Sequence, residues 1–456
     1  MRQSRAKKYI VLLLFGISLL PSGTGIAQAP PKGPSLTLSD AIQLAMTQNP
    51  EIRSARLQVE SSDHQVVAAR SGLWPQINIA EKFQNTNNPM WAFGTKLNQS
   101  NITAMDFDPD RLNNPDAVNN FNTSLALNWS LYDGGRTFAG LSQAKLNRES
   151  ARLGLKKTEQ KIISKTAQAY VGLLLARENQ KVIAQALETA KAHQAMIKNR
   201  FKGGFVVKSD LLRAQVRISE LTQEQLQAQS QVEIAKAVLN AAMGNAMDTP
   251  LVLATPFKIC IETKENQSVW IEKALANRPD LKQLKLQKKM ASKQVQINRS
   301  GHLPQVMLNG AYEIDTEDFS DTADSYTVGA MVRLNLFSGN GISAKTKASK
   351  SDQKKIAAMY TALTQGVEVQ TREAYLSAQS AWQRISVAEH AVTQSEEGLR
   401  IVMNRYQSGL LTIVDLLDAQ VADQQARTLH FKALHDYKVA RIKLAAAAGI
   451  IDPNFQ

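Results

Sequence analysis

The sequence predicts a mixed α+β membrane protein built by internal duplication, with strand hairpins of membrane-crossing length continued by very long coiled-coil helices. Three observations carry this prediction. Two halves of the chain match in register. Each half holds strand segments that alternate apolar and polar residues over ten or eleven positions. Each half then continues in a Pro-free helical pattern far longer than a globular core needs.

The duplication has two registers. Leu131-Tyr132-Asp133-Gly134 aligns with Leu336-Phe337-Ser338-Gly339, an offset of 205 that runs without a gap through Tyr170/Tyr375, Arg200/Arg405 and Gly244/Gly449. Upstream the offset is 229, through Pro50/Pro279, Gly72/Gly301 and Pro75-Gln76/Pro304-Gln305. The 24-residue difference falls between Gln76 and Phe121, so the first copy carries a longer loop, roughly residues 84 to 120. Chance similarity between helices does not align Gly, Pro and Tyr in this way.

In chain order, residues 1–29 read as a secretory signal. Arg2, Arg5, Lys7 and Lys8 precede the apolar run YIVLLLFGISLL, and Ala27-Gln28-Ala29 supplies small residues for cleavage. The alternative, an uncleaved anchor, has a run short for a span. Residues 30–245 form the first repeat, with a helix, a strand hairpin at 75–132 and a helical hairpin at 137–243. Residues 246–267 are a strap with β-branched pairs. Residues 268–450 form the second repeat, with a helix, a strand hairpin at 304–337 and a helical hairpin at 341–447, and 451–456 are a tail.

Each repeat opens its helix with Pro at the first position and an acid after it, Asn49-Pro50-Glu51 and Arg278-Pro279-Asp280. That N–H would be unpaired in any case, and the acid suits the helix N-terminus. The strands follow. Phe121, Thr123, Leu125, Leu127, Trp129 and Leu131 share one face, and Tyr326, Val328, Ala330, Val332, Leu334 and Leu336 another. About ten residues is what a tilted strand needs to cross a bilayer. A soluble sandwich fits the strands alone but not the helices that flank them. Residues 137 to 201 then contain no Pro, and a helix of that length spans about 97 Å. A Gly-centred turn reverses it into a shorter helix, and the Pro50-type helix can stack end to end with that return helix. Four strands cannot close a barrel and open edges do not survive in lipid, so the chain must oligomerise. Three chains give twelve strands and six helical tips.

Composition bounds the partners. The net charge of +14 includes the four basic residues of the leader, which leaves 50 Lys+Arg against 40 acids. These are interleaved along helices as on a solvated face, so nucleic acid is not an expected partner. After the leader no run of 18 apolar residues occurs. The single cysteine, Cys260, excludes a disulfide framework, and no Cys near the cleavage site offers a lipid anchor. The dispersed histidines form no metal-ligand spacing, GNGISAKT lacks the phosphate-loop lysine spacing, and no catalytic constellation stands out. The expectation is a non-enzyme without cofactor or metal.

The turns draw the functional reading. RFKGGFVVKSDLLRAQ (Arg200 to Gln215) and RYQSGLLTIVDLLDAQ (Arg405 to Gln420) share seven of sixteen positions. With the doubled helix–strand–strand–helix plan, the two Asn/Arg-Pro-acid starts and Leu131-Tyr132-Asp133-Gly134-Gly135, the chain resembles the TolC-like outer-membrane efflux proteins over essentially its mature length. That resemblance implies a homotrimer with a twelve-stranded β-barrel in outer-membrane lipid and a long α-helical tunnel through the periplasm. It implies an exit duct serving an inner-membrane transporter through a periplasmic adaptor. It places adaptor docking at Gly203, Gly204, Phe205 and Val206 and at Ser408, Gly409, Leu410 and Leu411. It places the entrance at Asp415 and Asp418, with Asp210 and a gate tyrosine, Tyr406. The family's gate arginine corresponds to Leu411, so its closing salt bridge has no donor there. Arg213, in the first-copy slot of Asp418, is the basic residue nearby. The plainer reading of the two acids is that they stabilise a helix N-terminus. Other classes are a trimeric coiled-coil adhesin or surface protein, which does not need two matched tips, and an adaptor-like hairpin protein, which lacks four strands.

Overall fold

The computed structural model describes residues 35–254, 257 and 265–454. The leader, Cys260 and much of the strap lie outside the described residues. Two helices, α1 (Leu38–Gln48) and α2 (Pro50–Ser71), lead to strand β2 (Gln76–Thr86), after a two-residue strand β1 (Ser35–Leu36). The first loop carries α3 (Pro89–Asn98) and α4 (Pro109–Asn113) before β3 (Val118–Tyr132). Helix α5 (Arg136–Lys202) runs 67 residues, about 100 Å at the usual rise, and α6 (Lys208–Met243) returns. After β4 (Val252–Leu253) the plan repeats: α7 (Gln267–Asn277), α8 (Pro279–Arg299), β5 (Gln305–Thr316), β6 (Ala323–Arg333), α9 (Gly341–Gln407) and α10 (Ile413–Ala447). Among the described residues, no helix is long and apolar enough to cross a membrane.

Local chemistry explains the starts and stops. Pro50 and Pro279 occupy first helical positions, and Asn49 caps α2 by accepting from Glu51 N–H. The return helices end on left-handed glycines at close approaches. A Cβ on Gly244 would lie 2.8 Å from the Gln48 carbonyl, and one on Gly449 3.0 Å from the Arg278 backbone. These contacts set α6 end to end with α2, and α10 with α8, as the lengths anticipate. Asn49 Nδ2 donates to the Ala242 carbonyl at 2.9 Å, and Arg278 Nη1 to that of Ala447 at 3.4 Å. Apolar clusters run along the helices, one around Trp270, Leu281, Ile385, Leu434 and Tyr437, and another around Tyr170, Leu173, Leu239 and Met243.

The four long strands form one antiparallel sheet, ordered β2-β3-β5-β6, so the repeats meet at β3·β5. The registers obey the duplication. Ile79 pairs with Leu125, and their counterparts Leu308 and Ala330 pair with each other. One face carries Ile77, Ile79, Phe83, Leu125, Leu127, Trp129, Leu308, Tyr312, Tyr326, Val328 and Val332. Two acids interrupt it, Glu81, which accepts from Thr123, and Asp324. The other face carries Asn78, Asn122, Ser124, Asn128, Asn309, Glu313 and Asp315. β2 and β6 are the edges.

The structure departs from expectation in three places. The second hairpin does not run to 337, because β5 begins at Gln305 opposite Arg333 and nothing among the described residues pairs with Leu334–Phe337. The first loop contains α3 and α4, and Asn88 and Asp108 cap them ahead of Pro89 and Pro109. Helices α1 and α7 precede the Pro-started helices, α1 opened by a capping box between Thr37 and Asp40. Of the strap, Val252 and Leu253 form β4, parallel to β1, which ties the segment to Ser35 and Leu36 just ahead of α1.

Candidate functional site: the paired helical tips

Both long hairpins turn by the same geometry. In the first, Gly203 ends α5, Gly204 takes φ +79°, and Phe205 N–H returns to the Arg200 carbonyl at 2.9 Å. In the second, Ser408 ends α9, Gly409 takes φ +76°, and Leu410 N–H returns to the Arg405 carbonyl at 2.9 Å. This six-to-one bond with a left-handed residue satisfies carbonyls that a helix end leaves open, and glycine adopts that conformation without steric cost. Gly203 has a different reason to be glycine. Its φ is ordinary, but a Cβ there would meet the Phe205 ring at 2.9 Å.

The tips project apolar side chains. Phe205 is 79 % exposed and Leu410 74 %, while Val206 and Leu411 are half-buried. Leu411, in the slot of the family's gate arginine, supplies no charge. Behind the turns the hairpins lock together. Ile197 and Ala214 of the first pack with Tyr406, Ile413 and Leu416 of the second, flanked by Val206 and Leu211. Arg200 crosses from α5 to the end of α9, donating from Nη1 to the Tyr406 carbonyl at 3.0 Å and from Nη2 to that of Gln407 at 3.1 Å. Its guanidinium also lies 5.5 Å from the centre of the Tyr406 ring. A cation placed on the negative end of a helix is favourable, and the ring face adds to the attraction.

Tyr406 is 3 % exposed, and its hydroxyl has no hydrogen-bond partner among the described residues. Burial pushes the phenol above its ordinary range; Arg200 opposes this and Asp210 adds to it. The structure therefore brings Tyr406, Asp210 and Arg200 to one place. Asp415 Oδ2 accepts from Thr412 N–H at 2.8 Å and from Thr412 Oγ1 at 2.6 Å, a capping box opening α10. These bonds, the hydroxyl's first, hold its carboxyl below the usual carboxylate range. Asp418, one turn on, is exposed and its side chain makes no hydrogen bond or ion pair among the described residues. Arg213 is exposed and pairs with neither acid within the chain.

Above the tips a polar belt joins the hairpins. Arg217 donates to Gln424, and Gln424 donates to Glu224 at 2.6 Å. Arg427 bridges Asp423 at 2.9 Å and Glu396 at 2.6 Å. Gln420 touches His193, whose burial holds the imidazole below its ordinary range. A cavity of about 140 Å³ lies among these groups. Sequence reading did not find this belt or Arg200's role. The partners that cross between the hairpins are some two hundred residues apart, and the doubled Arg200/Arg405 was the only local signal.

The outer membrane efflux protein family model matches residues 41–245 and 270–450. The chain is 24 % identical to the alkaline protease secretion protein AprF of Pseudomonas aeruginosa, covering 92 % of this chain and 85 % of that one. It is 22 % identical to the outer membrane protein TolC of Vibrio cholerae, covering 91 % of each. The Campylobacter jejuni CmeC outer membrane channel superposes with a TM-score of 0.79 at 17 % identity, over 92 % of this chain and 87 % of that one. The fold is that of these channels, and the chain belongs to the outer membrane efflux protein family.

Proposed function

We propose that three copies of the chain form a continuous exit duct, with the barrel in outer-membrane lipid and the six tips as its periplasmic mouth. The place of the protein is the outer membrane, and its work is to pass cargo outward. One observation carries the duct reading: four membrane-length strands with one apolar face and two open edges stand at one end of long hairpins whose other end holds two matched tips. Open edges are not tolerated in lipid, and a barrel of about eight strands is filled by its own side chains. Three chains are the smallest ring that leaves a lumen.

The duplication supplies the closing register. Within the chain Trp129 of β3 pairs with Leu308 of β5. The counterparts of that pair are Leu334 and Ile79, so β6 of one copy meets β2 of the next with Leu334 opposite Ile79. That pairing gives Leu334–Phe337 the partner they lack among the described residues of one copy. The apolar face then meets lipid, and the face with Asn128, Asn309 and Asp315 lines the lumen. The loop with α3 and α4 faces the exterior, as long barrel loops do; a tag near Asn114 detected only after membrane rupture would contradict this.

At the other end, Phe205 and Leu410 are apolar contacts for a periplasmic adaptor that joins the duct to an inner-membrane transporter. Asp415 and Asp418, six carboxylates in a trimer, ring the entrance beside Asp210, with Arg213 set against them and the gate residue Tyr406 holding the hairpins together. The test is biochemical. Outer-membrane fractions should yield heat-resistant trimers that conduct in lipid bilayers, and crosslinkers at Phe205 or Leu410 should capture an adaptor. A monomeric, non-conducting protein with helices exposed at the cell surface would favour the adhesin class instead.

A further inference from the structure

The two tips are equivalent under the 205-residue repeat, yet their contacts within one chain are not. Arg200 reaches the carbonyls that end α9 and covers the Tyr406 ring. Its counterpart Arg405 stands in the last turn of α9, is exposed, and its side chain makes no hydrogen bond or ion pair among the described residues. The counterparts of Arg200's acceptors are Phe201 and Lys202. The Phe201 carbonyl accepts Gly204 N–H at 3.0 Å, just as the Tyr406 carbonyl accepts Gly409 N–H at 3.0 Å. Each carbonyl keeps a second lone pair. At Tyr406 that lone pair meets Arg200. At Phe201 no side chain among the described residues meets it, and Phe201 is 37 % exposed where Tyr406 is 3 % exposed.

We propose that Arg405 caps the end of α5 in the neighbouring copy, donating to the carbonyls of the partner's Phe201 and the partner's Lys202 and covering the ring of the partner's Phe201. This rests on the trimeric duct. In a ring of three chains the six hairpins alternate, first tip to second within a chain and second tip to first between chains. The contact that Arg200 makes across the first kind of junction has Arg405 as its counterpart across the second. The chemistry fits. A helix C-terminus presents unpaired carbonyls and partial negative charge, and a planar guanidinium can serve two of them while lying on a ring.

The two junctions are not identical. Ile413, buried in the tip core, has Lys208 as its counterpart, which puts a charge where the contact within the chain has an apolar side chain.

Crosslinking in native membranes tests this, using the full chain with Cys260→Ser. Lys202→Cys with Arg405→Cys, treated with a short bismaleimide, should shift the protein from one-chain mass to two- and three-chain masses on a denaturing gel. Arg200→Cys with Gln407→Cys should stay at one-chain mass, because that contact is internal. Ile79→Cys with Leu334→Cys reports the barrel seam independently. A seam that links copies beside a tip pair that stays at one-chain mass overturns the Arg405 cap and leaves the duct standing. If neither pair links copies, the trimeric reading fails and takes the cap with it. Should a cysteine pair block assembly, a photoreactive residue at 405 alone should label the partner's α5 end; labelling only within its own chain overturns the cap.

Discussion

The two tips share one backbone and differ in what surrounds it. The first exposes Phe201, Phe205 and Val207, and its second helix starts at Val207 with no side-chain cap. The second buries Tyr406, Ile413 and Leu416 and starts its return helix with the Thr412–Asp415 capping box. Duplication kept the turn, because a left-handed glycine and a six-to-one bond are what reverse a helix. It let the flanks diverge. The second tip is the more anchored, held by its own cap and by Arg200, while the first leaves more apolar surface for a partner.

The largest effect belongs to the shared turn. Gly204→Trp with Gly409→Trp places side chains at positive φ, costing roughly 1–2 kcal/mol at each site, and crowds any docking partner. Export should be lost while heat-resistant trimers persist. Normal export by the double variant would mean that the turns are not the docking surface.

Next comes the lock between the tips. Tyr406→Ala removes a buried ring, a change that costs about 3–5 kcal/mol for comparable aromatics, and should sensitise cells to large antibiotics. Arg200→Ala should act in the same direction with smaller size. Tyr406→Phe should be nearly silent, because the hydroxyl has no partner among the described residues and loses little by removal. If Tyr406→Phe opens the mouth as far as Tyr406→Ala, then the hydroxyl and not the ring carries the lock.

The smallest effect separates the tips by their caps. Thr412→Ala should cost about 1 kcal/mol, felt as faster hydrogen exchange at the start of α10 and not of α6. Acid should act likewise. The folded Asp415 carboxyl is held below its ordinary range, so its contribution is full above about pH 4 and fades as pH falls through the lowered folded value. After correction for intrinsic rates, equal acid loosening of both tips would show that the capping box contributes nothing distinctive.

Much of this was legible in the sequence for local reasons. Pro50 and Pro279 mark helix starts because only the first position tolerates them, and Gly204 and Gly409 mark turns because of φ. The alternation from Phe121 to Leu131 gave the apolar face directly. What was not legible depends on distant partners. The pattern carries β6 to Leu336, but the strand stops at Arg333 because its neighbour in the chain begins at Gln305. Arg200 meets the Tyr406 carbonyl across 206 residues, a contact no local spacing encodes. Asp415 and Asp418 sit three apart and look alike, yet one is engaged by Thr412 and the other is not. The Thr37–Asp40 box that opens α1 was a local signal that the longer helical pattern obscured.

The central claim is that the tips form the mouth of a conducting duct, and single-channel recording addresses it most directly. An acidic ring in a narrow mouth favours cations and binds multivalent ones. Wild-type channels should prefer cations and be blocked by multivalent cations added from the periplasmic side, with block weakening as salt rises and screening shortens. Asp415→Asn with Asp418→Asn should lose both properties. Asp418→Asn alone should remove more of the block than Asp415→Asn alone, because Asp415 is already engaged by Thr412. Unchanged selectivity and unchanged block in the double variant would contradict the account and leave both acids as stabilisers of a helix start.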